Sequence, residues 1–169
     1  MDNDSEMLPQ VDAEGNVTGS MTRGHAHDGS KILHPVVHLH VFNSKGELYL
    51  QHRPHWKRIQ PDKWDTACGG HIAFGESVDE ALVREVGEEL GISGFNPLLL
   101  QRYVFESHVE RELVYLFRTV YDGEIKPSKD ELSGGRFFTP DELHEAAING
   151  EMTPNCLMEL RTFLKLINV

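Results

Sequence analysis

Three glutamates are spaced so that one metal ion could bind them all. Glu85, Glu88 and Glu89 fall at i, i+3 and i+4. A helix with that spacing carries all three carboxylates on one face, where like charges destabilise it unless something neutralises them. Two readings follow: a solvated acidic face paired with Arg84 and its neighbours, or ligands for a hard divalent cation. Mg²⁺ takes oxygen ligands and completes its shell with waters and substrate phosphates. A second group of interest is basic. Arg53, Lys57, Arg58 and Lys63 cluster in an otherwise acidic chain. They read either as a solvated loop or as a clamp on a phosphate, with Trp56 and Trp64 nearby for stacking or for the core. Ten histidines also occur. Taken singly, a histidine is more often structural than a ligand.

The acidic triad sits inside a longer pattern. Residues 70–92 read GHIAFGESVDEALVREVGEELGI. This segment resembles the Nudix box, G-x5-E-x7-R-E-U-x-E-E-x-G-U with U aliphatic. Gly70, Glu76, Arg84, Glu85, Val86, Glu88, Glu89, Gly91 and Ile92 match its nine fixed positions over 23 residues. Leu50-Gln51-x-Arg53, Trp64 and the run from Phe137 to Leu143 resemble the flanks usual in that superfamily. The resemblance implies a Nudix fold and metal-dependent diphosphate hydrolysis. It implies that Glu85, Glu88 and Glu89, with the Gly69 carbonyl, bind Mg²⁺ or Mn²⁺. Arg84 would orient Glu85 or Glu88, with Glu76 pairing to it. A further acid would complete the site, and Glu131 in Asp130-Glu131-Leu132 is the choice, against a reading as an ordinary loop acid. The implied reaction is attack of water at phosphorus, with a glutamate taking the proton.

A second, more local resemblance covers Gly19 to Gly75. Thr18-Gly19, His27, Leu33-His34, Phe42-Asn43, Trp64, Gly70-His71 and Gly75-Glu76-Ser77 fall in step with type I isopentenyl diphosphate isomerase, itself a Nudix-fold enzyme, and its hydrolase relatives. In that isomerase three such histidines and two glutamates hold a divalent metal. The resemblance implies a second metal site here from His27, His34, His71, Glu110 and Glu112. Three imidazoles with two carboxylates suit Mn²⁺, Zn²⁺ or Fe²⁺ better than Mg²⁺. The isomerase's cysteine falls at the position of Gly69, one residue after Cys68. On a strand that shift moves a side chain to the opposite face, so Cys68 reads as a small buried hydrophobe. Hydrolysis of a nucleoside diphosphate or other small organic diphosphate is therefore the leading expectation. The alternatives are isoprenoid diphosphate isomerisation and a non-catalytic binding module, which an intact box does not need.

The elements that must position these residues can be read from pattern and turn chemistry. Met7–Val11 and Val17–Gly19 flank a turn at 12–16, predicting an N-terminal hairpin over 7–19 that extends its own sheet or pairs with another subunit. Met21–His27 reads as a short helix. Val36–Phe42, Glu47–Arg53, Leu98–Phe105, Glu112–Tyr121 and Arg136–Phe138 read as strands. Ser77–Leu90 reads as a helix with a Ser77/Glu80 capping box and Gly91 as its left-handed stop. Thr139-Pro140 and Thr153-Pro154 start two more. Leu157, Leu160, Leu164 and Ile167 are expected on one face of the last. The fold class is α/β (α+β): a mixed sheet sandwiched between helices. Residues 1–169 form one domain, with 1–5 expected to be frayed.

Composition bounds the partners. The chain has 169 residues and a formal net charge of −11. That acidity argues against nucleic acid and anionic membranes and leaves a small-molecule diphosphate as the substrate class. Two distant cysteines make no disulfide framework, and the acidic start lacks a secretory h-region, so a cytoplasmic protein is expected. Monomer and homodimer are both compatible with these features.

Overall fold

The computed structural model describes residues 3–169, and Met1 and Asp2 lie outside the described residues. The expected hairpin forms from β1 (Met7–Val11) and β2 (Val17–Thr22), which make a two-stranded sheet of their own. It does not join the main sheet. Asp12 caps its turn, accepting the N–H groups of Glu14 and Asn16 at 3.0 and 2.9 Å. Residues 3–5, expected to be frayed, form a turn. The Asp4 and Glu6 carbonyls accept Gly24 and Arg23 N–H at 3.0 and 2.8 Å, which ties it to α1 (Arg23–Ala26).

The main sheet has seven strands. Its path runs β5 (Trp64–Thr66), β4 (Leu48–His52), β3 (Leu33–Phe42), β8 (Arg111–Val120) and β7 (Leu98–Glu106). Off that path, β6 (Cys68–His71) pairs with β3 and β9 (Gly135–Phe138) pairs with β4. β3 runs parallel to β8 and antiparallel to β4 and β6, so the sheet is mixed. Two strands, β5 and β6, go beyond the sequence reading. At three and four residues, with a Gly-Gly pair in β6, they lack the alternation that betrays a strand.

Helices cover both faces. α2 (Val78–Leu90) packs Ala81, Leu82, Val86 and Leu90 against Val37, Leu39, Val41 and Cys68. Truncating Leu82 to alanine there costs about 2–5 kcal/mol. On the other face α3 (Pro140–Ile148) and α4 (Pro154–Thr162) lie over Phe42, Leu48, Leu50 and Phe138. Only half of the expected capping box forms on α2. Ser77 Oγ accepts the Glu80 N–H at 3.1 Å, while the reciprocal box forms between Thr139 and Glu142 on α3. Gly91 ends α2 at φ 64° as expected. α4 is shorter than its apolar stripe suggests. It stops at Thr162, Lys165 takes φ 53°, and Leu166 N–H bonds back to the Leu160 carbonyl at 2.9 Å. Ile167 still reaches the core, but from the reversed chain after the helix.

Candidate active site

Strand β6 is the wall on which the site is built. Successive residues of a strand face opposite ways. Cys68 belongs to the core under α2. A Cβ on Gly70 would come 2.1 Å from Glu85 Cδ, so the carboxylate occupies the space that any side chain at position 70 would need. Gly69 and His71 face the other side. A Cβ on Gly69 would lie 3.3 Å from His38 Cδ2, and the His71 ring joins a histidine cluster. The one-residue offset between Cys68 and Gly69 thus separates them onto opposite faces, as the strand argument predicts.

On the α2 face, the box residues converge. Arg84 is the hub. Its Nε and Nη2 donate to both oxygens of Glu76 at 2.8 and 2.9 Å. Nη1 donates to Glu85 at 2.9 Å and lies 3.4 Å from Glu88, and Nη2 also reaches the His71 carbonyl at 3.0 Å. The fork geometry of a guanidinium suits this bidentate grip. Glu89 is buried, with Oε2 accepting the Gly69 N–H at 3.4 Å. Burial first, then the charges of Glu85 and Glu131, push its carboxyl up to about 8. Burial likewise raises Glu85, against the pull of Arg84. Glu131 is exposed on the turn after β8, and its charge reaches both Glu85 and Glu89. Acids that raise one another's pKa form a site short of positive charge. An oxygen-only donor set of this kind fits Mg²⁺ or Mn²⁺.

On the opposite face, His27, His34, His71 and Glu110 each offer a ligand atom, all within 4.8 Å of one another. His27 Nε2 lies 3.1 Å from His71 Nε2 and 3.0 Å from Glu110 Oε2. His34 is fully buried. Its Nδ1 donates to the Ile32 carbonyl at 3.0 Å, which leaves the Nε2 lone pair free, and that buried atom has no hydrogen-bond partner among the described residues. A tautomer fixed by a backbone carbonyl, with the other nitrogen bare, is how a protein presents imidazole to a metal. Burial lowers the pKa of His34 and pushes that of His71 well down, keeping both rings neutral. The hydrogen bond to Glu110 raises His27 despite burial. Glu112, expected as a fifth ligand, is not among these four donors. It stands opposite His34 in the β3–β8 register, and burial, then Glu110, raise its carboxyl.

The basic group is put to mixed use. Arg53 folds its own loop, donating to the carbonyls of Ile59 and Gln60 at 2.8 and 3.1 Å and pairing with Asp65 at 3.4 Å. Lys63 donates to the Gly150 carbonyl. Lys57 lies over the exposed Trp56 ring at 5.1 Å, and Arg58 is exposed. Trp64 is core, edge-on to Phe138 at 4.8 Å. Sequence reasoning passed over two lysines. Lys126 and Lys129 line a cleft of about 570 Å³ beside the Glu131 turn, and basic residues flanking a candidate catalytic acid were the available signal. It also missed a buried network on α4, where fully buried Glu159 meets His38 Nδ1 at 2.8 Å, His40 Nε2 at 3.0 Å, Tyr103 Oη at 2.5 Å and Thr66 Oγ1 at 3.3 Å.

Comparisons with known proteins fit this geometry. A family model described as the NUDIX domain matches residues 32–156. An uncharacterised Nudix hydrolase of Pseudomonas aeruginosa is 32% identical over 161 residues, covering 95% of each chain. An isopentenyl-diphosphate Delta-isomerase of Saccharopolyspora erythraea is 32% identical over 135 residues, covering 76% of this chain and 70% of its own. Among solved structures, a Deinococcus radiodurans protein superposes with a TM-score of 0.80 at 23% identity, covering 94% of this chain and 99% of the other. No described helix is long and apolar enough to cross a membrane.

Proposed function

This chain belongs to the Nudix family, and from that premise we propose that it is a metal-dependent hydrolase cleaving a diphosphate linkage in a small organic molecule, a nucleoside diphosphate being the first class to test. The observation that carries this reading is the intact box face, where Glu85 and Glu89 meet under the charge of Glu131 with Arg84 bracing the group. Glu85, Glu88 and Glu89, with the Gly69 carbonyl, would hold Mg²⁺ or Mn²⁺. That ion, when bound, would polarise the phosphoryl oxygens and offset their charge. The chain's own residues do the rest. Arg84 fixes the Glu85 carboxylate by charge-assisted bonds. A glutamate, either a box residue or Glu131, takes the proton from the attacking water. A P–O bond to that water oxygen forms, and the bond to the bridging oxygen breaks with its electron pair leaving on the departing group. The Lys57 and Arg58 side chains, with no carbonyl partner among the described residues, would be the basic-loop groups that meet the far phosphate. Arg53 and Lys63 would act there through the loop they fold. With Cys68 and Cys156 free and buried, a reducing cytoplasm suits the protein.

The test is a nucleoside-diphosphate panel with Mg²⁺ or Mn²⁺, reading phosphate or monophosphate release. Glu88→Gln or Glu89→Gln should nearly abolish it, and full activity in both variants would falsify the metal assignment.

One observation favours a second reading. The His27, His34, His71 and Glu110 cluster would hold Mn²⁺, Zn²⁺ or Fe²⁺, as the resemblance to the isomerase implies, and a curated isomerase is as similar as the hydrolase. Against it, Cys68 lies on the α2 face and position 69 carries no acid. Proton exchange at the allylic carbons of isopentenyl diphosphate, followed by NMR, decides the point. Its absence in metal-loaded protein ends the isomerase reading.

A further inference from the structure

The cleft beside the Glu131 turn belongs to the α2 side of the sheet, and the box residues do not fill it. The chain between β8 and β9 builds it. Ile125 packs on the core under α2. The Lys126 N–H bonds to the Leu90 carbonyl and the Ser128 N–H to the Glu89 carbonyl, both at 2.8 Å. The last carbonyls of a helix have no partner within it, so this segment is strapped to the end of the helix that carries Glu85, Glu88 and Glu89. Gly91 lets the strap pass, since a Cβ there would stand 3.1 Å from Lys126 Cβ. The other wall is tied to β4. Ser133 N–H donates to the His52 carbonyl at 3.0 Å, and His52 N–H to the Gly134 carbonyl at 2.9 Å. His52 immediately precedes the loop of Lys57 and Arg58. The cleft thus sits between the box helix and the root of the basic loop.

Its lining has a definite chemistry. Lys126, Lys129, Ser133 and Glu124 supply the polar groups, with Pro127 and Leu132 as apolar backing. Lys129 forms no ion pair among the described residues. Lys126 meets only Glu124, at 3.6 Å, and the two side chains are 70% and 76% exposed. An ion pair that open to water holds weakly, so an incoming anion can displace it. Asp130 and Glu131 share the turn but do not line the cleft. Two lysines in one cleft concentrate positive charge in a chain with 27 acidic residues against 16 Lys plus Arg. No lining residue is aromatic, so a nucleobase would find no ring to stack on. The volume of about 570 Å³ is that of a small-molecule site. Ammonium and hydroxyl groups over a short apolar floor suit a hydroxylated aliphatic skeleton that carries an anion.

We propose that this cleft takes the group at one end of the substrate's diphosphate, and that this group is sugar-like and bears an anion of its own, a carboxylate or a phosphate, held by Lys126 and Lys129. The assignment rests on the hydrolase reading above and names the class of group that lies beyond the diphosphate. A loop pinned at both ends to rigid elements is a suitable place for such selectivity.

The experiment uses full-length protein with Mg²⁺ and two pairs of compounds that differ by one anion. UDP-glucose is set against UDP-glucuronate, and ADP-ribose against ADP-ribose phosphorylated on its terminal ribose. In at least one pair the charge-bearing member should have a kcat/KM about tenfold higher, through KM, as expected for one charge-assisted bond. The first pair reports a carboxylate and the second a phosphate. In Lys126→Ala/Lys129→Ala the ratio should fall to about one, and Lys129→Glu should bring it lower still. Both lysines are exposed, so neither change disturbs the core. Lys45→Ala, an exposed lysine outside the cleft, should keep the wild-type ratio. Equal kcat/KM within both wild-type pairs, or a preference that survives loss of both lysines, overturns the cleft and leaves the hydrolase reading standing. Cleavage of simple nucleoside diphosphates with no turnover of any of these sugar compounds does the same. No turnover of any diphosphate overturns the hydrolase reading and the cleft with it.

Discussion

The two faces of strand β6 solve one problem in opposite ways. Each gathers groups that need a cation. On the α2 face the groups are carboxylates, and burial first, then the charge of the neighbouring acids, raises them: Glu89 to about 8, Glu85 above its usual range. On the α4 face they are imidazoles, and His34 and His71 shed protons because burial disfavours their charge. The first arrangement suits a hard ion with waters and phosphate oxygens around it. The second suits a borderline ion held by nitrogen. Four residues of backbone, Cys68–His71, keep the two chemistries apart by alternation alone.

The sharpest way to break this contrast is on the carboxylate face. Glu89→Gln should lower kcat for diphosphate hydrolysis by about 10²–10⁴-fold, the range for a group central to proton and charge handling. If His34→Ala does the same damage and Glu89→Gln does not, the faces have been assigned in reverse. Next comes metal retention. After gel filtration His34→Ala should have lost its Zn²⁺ while Glu89→Gln keeps it, read by metal analysis of the eluted protein.

Third is the Glu159 network under the histidine face. Removing one partner of a buried pair costs about 3–5 kcal/mol, so Glu159→Ala should lose that much in urea unfolding. The pH dependence follows from the pair. Burial alone would lower His38, but the charge and hydrogen bond of Glu159 win and raise it to about 9. Its contribution is whole below the ordinary value of 6.5 and is lost as pH rises towards about 9. Burial alone would raise Glu159, but His38 and His40 hold it below the ordinary value of 4.5. That contribution is present above 4.5 and fades as pH falls further. The stability gap between wild type and Glu159→Gln should therefore peak between those two ordinary values and narrow on either side. A gap flat from pH 5 to 9 would mean that Glu159 and His38 do not form an ion pair.

Smaller effects sharpen the boundary. Gly70→Ala forces a Cβ to within 2.1 Å of Glu85 Cδ and should cost about 1–3 kcal/mol, with hydrolysis falling further than stability as Glu85 is displaced. Smallest is Thr139→Ala, which removes the α3 cap for about 1 kcal/mol. It lies away from both faces, so neither activity nor Zn²⁺ retention should change.

How far the sequence reaches is seen residue by residue. The box was legible because nine spaced positions agree, and Gly70 shows why one of them must be glycine. His27, His34 and His71 were legible only through resemblance, since nothing local marks a histidine as a ligand. Glu112 resembled Glu110 by strand alternation and stands opposite His34 in the register, while the four clustered ligand atoms come from His27, His34, His71 and Glu110. Glu159 was invisible. It is one acid on an amphipathic helix, 121 residues from His38, and its burial depends on how α4 crosses the sheet. The end of α4 was misjudged because Leu164 and Ile167 keep a helical spacing after Lys165 has turned the chain.

The proposed hydrolysis requires water to attack phosphorus on the carboxylate face. Hydrolysis of a nucleoside diphosphate in H₂¹⁸O with Mg²⁺, read by mass spectrometry of the products, tests it most directly. The prediction is one ¹⁸O in a phosphate-bearing product per turnover from wild type and almost none from Glu89→Gln. No label in phosphate across the panel, together with proton exchange at the allylic carbons of isopentenyl diphosphate, would contradict it.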